Sequence, residues 1–371
     1  MTSPSTAAGI ILAAALVVLT GSDLHQRGVS APATPAVAPA DATARIAVAA
    51  QAVLATLDAA GRAKVQFPFE GPQKTRWSNF PSGIFQREGV RLADLTEAQR
   101  AAVDALLATA LSRDGYRKVL EIMRADGVLG RAEAPTGPGA GGPPGGAPGG
   151  GGRGGGRGRG NLRFSEDEYF LAFLGTPSAT SPWMLQFGGH HLAINLTMAG
   201  TDATMAPSLP AAQPATYTFE GRTIRPLGNE NDKAFALINA LDESQRKQAI
   251  LAYRVSDLVL GPGKDGQTIQ PEGIRASALT PAQRTMLLDI VREWAGIQND
   301  AFAEPRLAEI RTTLPDTYFA WSGPTTNGSA AYFRIQGPTL VIEYAPQGGV
   351  DHIHTIYRDP TNDYGAKFTR K

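Results

Sequence analysis

Cysteine is absent from this 371-residue chain, which excludes disulfides, thiolate metal ligands, thiol catalysis and a cysteine-linked lipid anchor. Any metal must be held by nitrogen and oxygen donors. An excess of one charge is also missing. The 35 Lys and Arg against 34 Asp and Glu leave a formal +1, which offers no pull toward nucleic acid or an anionic membrane surface. Long apolar runs are nearly absent. The exception, Ala7 to Gly21 (AAGIILAAALVVLTG), falls short of the roughly 20 apolar residues that a membrane-spanning helix needs. It fits the apolar core of a signal peptide with a cleavage site at Val29-Ser30-Ala31, so residues 1–31 are expected to direct export to the periplasm or the medium. The preceding MTSPST lacks Lys and Arg, and an uncleaved N-terminal anchor, the one membrane contact expected, is the alternative. Several catalytic signatures are missing too: a G-x-S-x-G elbow, an H-E-x-x-H helix, a Walker A loop and an ordered G-x-G-x-x-G after a strand.

Two segments cannot build a core. Residues 32–43 continue a Pro/Ala-rich stretch that reads as an extended linker. Residues 134–160 are almost entirely Gly, Pro and Arg, bury nothing and are expected to form a disordered loop. The RGGGRGRG end of that loop lacks interleaved aromatics for base stacking, so a solvated insertion is expected and no nucleic-acid partner. The remainder, 44–371, reads as one domain. Leu95-Thr96, Leu241-Asp242 and Leu279-Thr280 each place a capping residue three positions before Gln, with Leu ahead as a staple, and predict three amphipathic helices. Alternating apolar residues predict hairpins at 182–197, with Gly188-Gly189 as the turn, at 217–224 around Glu220-Gly221, and at 339–357 around Pro346 to Gly349. Separate blocks of hairpins and helices predict an α+β fold: a mostly antiparallel sheet with amphipathic helices packed on it.

Histidine is scarce and clustered. Of five in the chain, four form two pairs, His190-His191 and His352/His354, and the fifth, His25, lies in the exported leader. On a strand, His352 and His354 leave the same face and can converge on one ion. A tight hairpin around Gln347-Gly348 would put Glu343 opposite His352 as an oxygen donor, provided the register does not slip. In an extended strand, His190 shares the apolar face of Leu192, Ile194 and Leu196, while His191 shares the small polar face of Ala193, Asn195 and Thr197. His191 is therefore the expected third ligand, with His190 a buried histidine bonded to a neighbour or a further ligand. Each pair alone is better explained by packed or surface histidines; their joint occurrence favours one shared site. The expected cofactor is a divalent transition metal, and zinc, copper and iron all suit the donors. An open coordination position would serve a hydrolase or an oxidase of unspecified substrate. The alternatives are a non-catalytic binder of metal or a small ligand, and a metal-free acid/base enzyme using Glu230, Glu343 or Asp363. Arg358 or Asp363, just past H-x-H, could bind an anionic substrate group or orient an imidazole. A cupin motif needs a Glu soon after H-x-H; Arg358 stands in that region instead.

Three segments together carry a family resemblance: SEDEYFLAFLGTPSATSPWMLQFGGHHLAINLT (Ser165–Thr197), PLGNENDKAFALINALDESQRKQAI (Pro226–Ile250) and DHIHTIYRDPTNDYG (Asp351–Gly365). They resemble DUF3500, a bacterial and fungal family of unknown function, as do FPFE, RWSNFP and GVRLADLTEAQR. The likeness runs from about Ala49 to Phe368, broken by the Gly-rich insertion. It implies no activity or ligand set.

Overall fold

The computed structural model describes Met1, residues 37–133 and residues 162–369; the predicted signal peptide and the Gly/Pro/Arg loop lie outside the described residues. Helix α1 (Pro39–Thr56) begins inside the stretch expected to be a linker. Pro39 sits in the first turn, where its missing N–H is not needed, and Asp41 meets the positive helix end. Ala42, Ile46, Ala47, Ala50 and Val53 then recur at helical spacing and are buried, so the domain starts at Pro39 rather than at residue 44.

Then come α2 (Ala59–Val65), β1 (Gln66–Phe67), β2 (Val90–Arg91), α3 (Glu97–Ala110) and α4 (Arg113–Glu133). Strands follow: β3 (Phe170–Leu174), β4 (Trp183–Gly189), β5 (Leu192–Ala199), β6 (Asp202–Thr204), β7 (Leu209–Pro210), β8 (Tyr217–Phe219) and β9 (Arg222–Ile224). The later part holds α5 (Gly228–Ala240), α6 (Glu243–Ala249), β10 (Ile274–Arg275), α7 (Pro281–Ala295) and α8 (Asp300–Thr313). It ends with β11 (Tyr318–Ser322), β12 (Tyr332–Gly337), β13 (Leu340–Pro346), β14 (Ile353–Arg358) and α9 (Ala366–Thr369). One sheet runs β1-β3-β4-β5-β6, with β2 also on β3 and β7 on β5; the other runs β10-β11-β12-β13-β14; β8 and β9 pair alone. Among these strand pairs only β1 and β3 are parallel, so the α+β, mostly antiparallel expectation holds. All three expected capping boxes form, on α3, α6 and α7.

The two sheets are built on one plan. β1 runs parallel to β3, and Ile250 bridges Trp321 of β11 in parallel. β2 continues along the same edge of β3, as β10 continues along the same edge of β11. Side chains repeat at one constant sequence spacing as well. Gln99 donates to Thr56 O at 3.0 Å and Gln283 to Ala240 O at 2.8 Å; Arg62 donates to Leu57 O at 2.7 Å and Arg246 to Leu241 O at 2.9 Å. The recurring Leu-cap-x-x-Gln-Arg signal therefore marks an internal duplication. Each half packs helices on one face of its sheet, and a smaller cluster (Trp77, Ala172, Leu174, Met184, Ala193, Leu209, Ile356) fills the space between the halves.

The seam between the halves positions the site. Leu209 and Pro210 pair with Ala193 and Leu192 of β5, while Ser208 and Ala212 bridge Tyr357 and Ile353 of β14. Ala211 donates its N–H to His191 O at 2.8 Å. One extended segment thus holds the start of β5 beside the start of β14.

Candidate metal centre

The β4–β5 hairpin turns two residues later than expected. Gly188 and Gly189 are strand residues, Gly189 pairs with Leu192, and the turn is His190-His191. The glycines serve close packing instead: a Cβ on Gly189 would come 2.7 Å from the Tyr169 ring, and one on Gly188 would come 2.5 Å from Leu192 O. His191 takes φ 61, a left-handed conformation that costs a non-glycine residue about 1–2 kcal/mol. Such strain survives only where surrounding contacts fix it, and it aims both imidazoles inward from a tight turn.

Three nitrogens meet at the seam. His191 Nε2 lies 2.9 Å from His352 Nε2, which lies 3.0 Å from His354 Nε2. All three residues can offer ligand atoms within 4.8 Å of one another. With metal–nitrogen bonds of roughly 2.0–2.1 Å, neighbouring nitrogens in a coordination sphere stand roughly 2.9–3.4 Å apart, which matches. Protons can bridge both contacts only in particular tautomers. His354 Nε2 also lies 3.2 Å from the Asn79 amide nitrogen, and a neutral imidazole carries a single N–H. Burial, reinforced by the neighbouring imidazoles, drives His191 well below its ordinary pKa and pushes His352 down to about 4. Both are neutral at pH 7, the form in which imidazole can bind a metal.

The far nitrogens face carboxylates. His354 Nδ1 lies 3.3 Å from Asp257 Oδ1, and His191 Nδ1, buried without a hydrogen-bond partner, lies 3.7 Å from Asp126 Oδ1. Burial works to raise Asp257, but hydrogen bonds from His354, the Leu258 amide and Gln347 hold it below the usual range. Asp126, on α4, is pushed up by burial against hydrogen bonds from His190 and Tyr169. A carboxylate bonded as Asp257 is to His354 fixes the tautomer and turns the other ring nitrogen toward a metal, while Asp126 acts on His191 through charge and through His190. His190 stands behind the trio: its ring lies tilted against His191 at 3.6 Å between centroids, and its Nδ1 is 2.8 Å from Asp126 Oδ1. Tyr169 Oη locks this layer by donating to Asp126 Oδ2 (3.0 Å) or His190 O (2.9 Å). Asp126, His190 and His191 also form a second group able to hold an ion.

The other sequence candidates sit elsewhere. Glu343 pairs with Ile356, not with His352, because the β13–β14 ladder places Ala345 opposite His354. Fully buried, it accepts from Tyr332 Oη (2.6 Å) and from the amides of Val259 (3.0 Å) and Leu260 (2.7 Å), a complete hydrogen-bond set with no histidine in it. Glu230, in the first turn of α5, is ion-paired with Lys118 of α4. The Arg358 guanidinium makes four hydrogen bonds, to Leu260 O (2.7 Å), Gly261 O (3.0 Å), Asp265 (3.1 Å) and Asp363 (2.8 Å), so both Arg358 and Asp363 pin loops. Asn79, Asp126, Asp257 and Tyr169 were not singled out from sequence. Of these, Asn79 and Tyr169 lay in segments that stood out, RWSNFP and SEDEYFLAFLG, whereas Asp126 and Asp257 did not.

A comparison with known families completes the description. The chain belongs to the DUF3500 family. The match covers residues 39–366, starting where α1 starts, and the family is described as a protein of unknown function. No curated protein and no solved structure matches the chain.

Proposed function

We propose that this DUF3500 chain is an exported metalloprotein in which His191, His352 and His354 hold one divalent transition metal ion. The convergence of their three Nε2 atoms carries this reading. Zinc, copper and iron all accept three imidazoles. When bound, such an ion supplies a Lewis acid that can activate water or engage oxygen, so a metal-dependent hydrolase or oxidase follows if a position stays open. His352 and His354 retain partial exposure, and this supports access from solvent. The test is elemental analysis of tag-free protein dialysed against a metal mixture: near-stoichiometric zinc, copper or iron is expected, absent in His352→Ala. Metal-free protein under all conditions would sink the proposal and leave histidine acid/base chemistry.

One observation favours a second reading, metal capture without turnover. The largest clefts described, beside Arg87 and Arg358, are not lined by the three histidines. Cobalt substitution separates the two. A change in the cobalt absorption bands on adding azide indicates an open position and a catalytic site; unchanged bands support capture.

A further inference from the structure

A second site adjoins the first, on the other side of the 78–80 segment. Arg87 anchors it. Its Nη2 donates to Ser78 O (2.7 Å), Phe80 O (2.7 Å) and Gly189 O (2.6 Å), tying together the strand end before His190 and the segment carrying Asn79. Nη1 of the same guanidinium is shut off from solvent and has no hydrogen-bond partner among the described residues. No carboxylate among the described residues forms a salt bridge with it, although Arg87 lines a cleft of about 510 Å³ together with Arg91, Arg163, Glu168, Phe85 and Phe170. The acids nearby are engaged. Glu168 meets Arg91 at 2.8 Å and Arg163 at 3.9 Å, and Asp94 holds the other edge of Arg91 at 2.6 Å. Glu88, on the neighbouring cleft wall, faces Arg76 at 3.6 Å. A buried guanidinium edge without a partner is costly, and burial pushes the Arg87 guanidinium down to about 10 against the pull of Tyr169, Asp126 and Glu168.

We propose that this cleft binds an oxyanion, the carboxylate or phosphate of a small ligand, with the exposed guanidinium of Arg163 as its outer donor and Arg87 Nη1 as an inner donor that the ligand reaches by displacing the side chains covering it. A planar guanidinium with a free edge suits two-oxygen groups, and Phe85 and Phe170 offer apolar walls for the rest of the ligand. The backbone bonds of Arg87 would transmit occupancy to Gly189 and Asn79, both of which contact the histidine turn or His354. The proposal stands without the metal, so its test runs in EDTA.

Calorimetric titration of the full chain with inorganic phosphate, and separately with succinate, at constant ionic strength reads the site directly. One-to-one binding of either anion is expected. Arg87→Gln should weaken it at least tenfold and Arg163→Gln severalfold, while Arg222→Gln, an exposed charge on the β8–β9 hairpin, and His352→Ala should leave it unchanged. Arg87 also braces three carbonyls; if Arg87→Gln fails to fold, Arg163→Gln decides, because that side chain is 64% exposed and its loss leaves the fold intact. Binding of phosphate but not succinate, or the reverse, assigns the anion. Absence of binding by both anions, or binding that Arg163→Gln and Arg222→Gln affect equally, overturns the site.

Discussion

Metal binding to a folded protein raises its stability by mass action, so the histidine centre has a thermal signature that can be worked out in advance. Zinc added at about 100 times its dissociation constant stabilises the native state by about 2.7 kcal/mol. For a domain of this size that corresponds to a rise in Tm of roughly 5–10 °C, at about 2–4 °C per kcal/mol. The informative variant is His352→Ala. His352 precedes β14 and is partly exposed, so truncating it creates little cavity, whereas His191 is buried in a strained turn. Loss of one of three ligands with at least a hundredfold drop in affinity would leave zinc near its dissociation constant, and the gain would shrink to about 0.4 kcal/mol, roughly 1 °C. Differential scanning calorimetry of wild type and variant, each with EDTA and with zinc, gives four Tm values. The expected result is a large shift in wild type, almost none in His352→Ala, and closely similar values in EDTA. Equal zinc shifts in the two proteins would refute the three-histidine assignment, since the ion would then bind elsewhere.

Four further outcomes are expected. His352 stays neutral in the fold down to about pH 4 while an unfolded histidine protonates near 6.5, so the unfolded state binds more protons in between. Metal-free protein should therefore lose stability as pH falls from 6.5 to 4, by at most about 3 kcal/mol from this group and less for its partial exposure; flat urea midpoints across that range would contradict the assignment. Gly189→Ala should cost about 1–3 kcal/mol by overpacking against Tyr169 and should also weaken zinc binding, both measurable in one calorimetric series. Asp257→Asn should reduce zinc affinity about 10–100-fold, as expected for a carboxylate that orients the His354 imidazole, with Asp257→Glu recovering part of it. Glu343→Gln should lower stability by about 1–3 kcal/mol through its two backbone amides yet leave the zinc shift intact; a lost shift would restore Glu343 as a ligand.

Local sequence carried the local structure well. The three capping boxes and the Glu220-Gly221 turn follow from residue chemistry within a few positions, and each forms where its spacing puts it. What sequence could not carry was choice among alternatives of similar local merit. Gly-Gly is a better turn than His-His by propensity. The tertiary demand overrode it: Tyr169 packs where a Cβ on Gly189 would stand, which keeps both glycines in the strand and moves the turn onto the histidines. Register at β13–β14 was undetermined for the same reason. The Gln347-Gly348 turn could close in more than one way, and the ladder that formed gives Glu343 to the Tyr332 hydroxyl and two amides. Asp126 lay beyond reach, because nothing in the α4 sequence distinguishes a buried helix carboxylate that meets a turn 64 residues later.

The duplication explains why the site occurs once. Gly189 pairs with Leu192 across His190-His191 in the first half, and Gly337 pairs with Leu340 across Pro338-Thr339 in the second, so the two turns occupy equivalent places. In the second half the turn is braced by Arg306, which donates through Nε to Tyr357 Oη at 3.0 Å and through Nη2 to Thr339 O. Histidines there would displace that brace. In the first half the equivalent turn faces the seam, and the partners it meets, His352 and His354, come from the start of β14, which has its counterpart in the short β6 rather than in another histidine strand. The centre thus combines non-equivalent ends of two equivalent halves. It depends on the 208–212 segment that bridges β5 to β14, and a change that loosens that segment should scatter the three nitrogens while leaving each half folded.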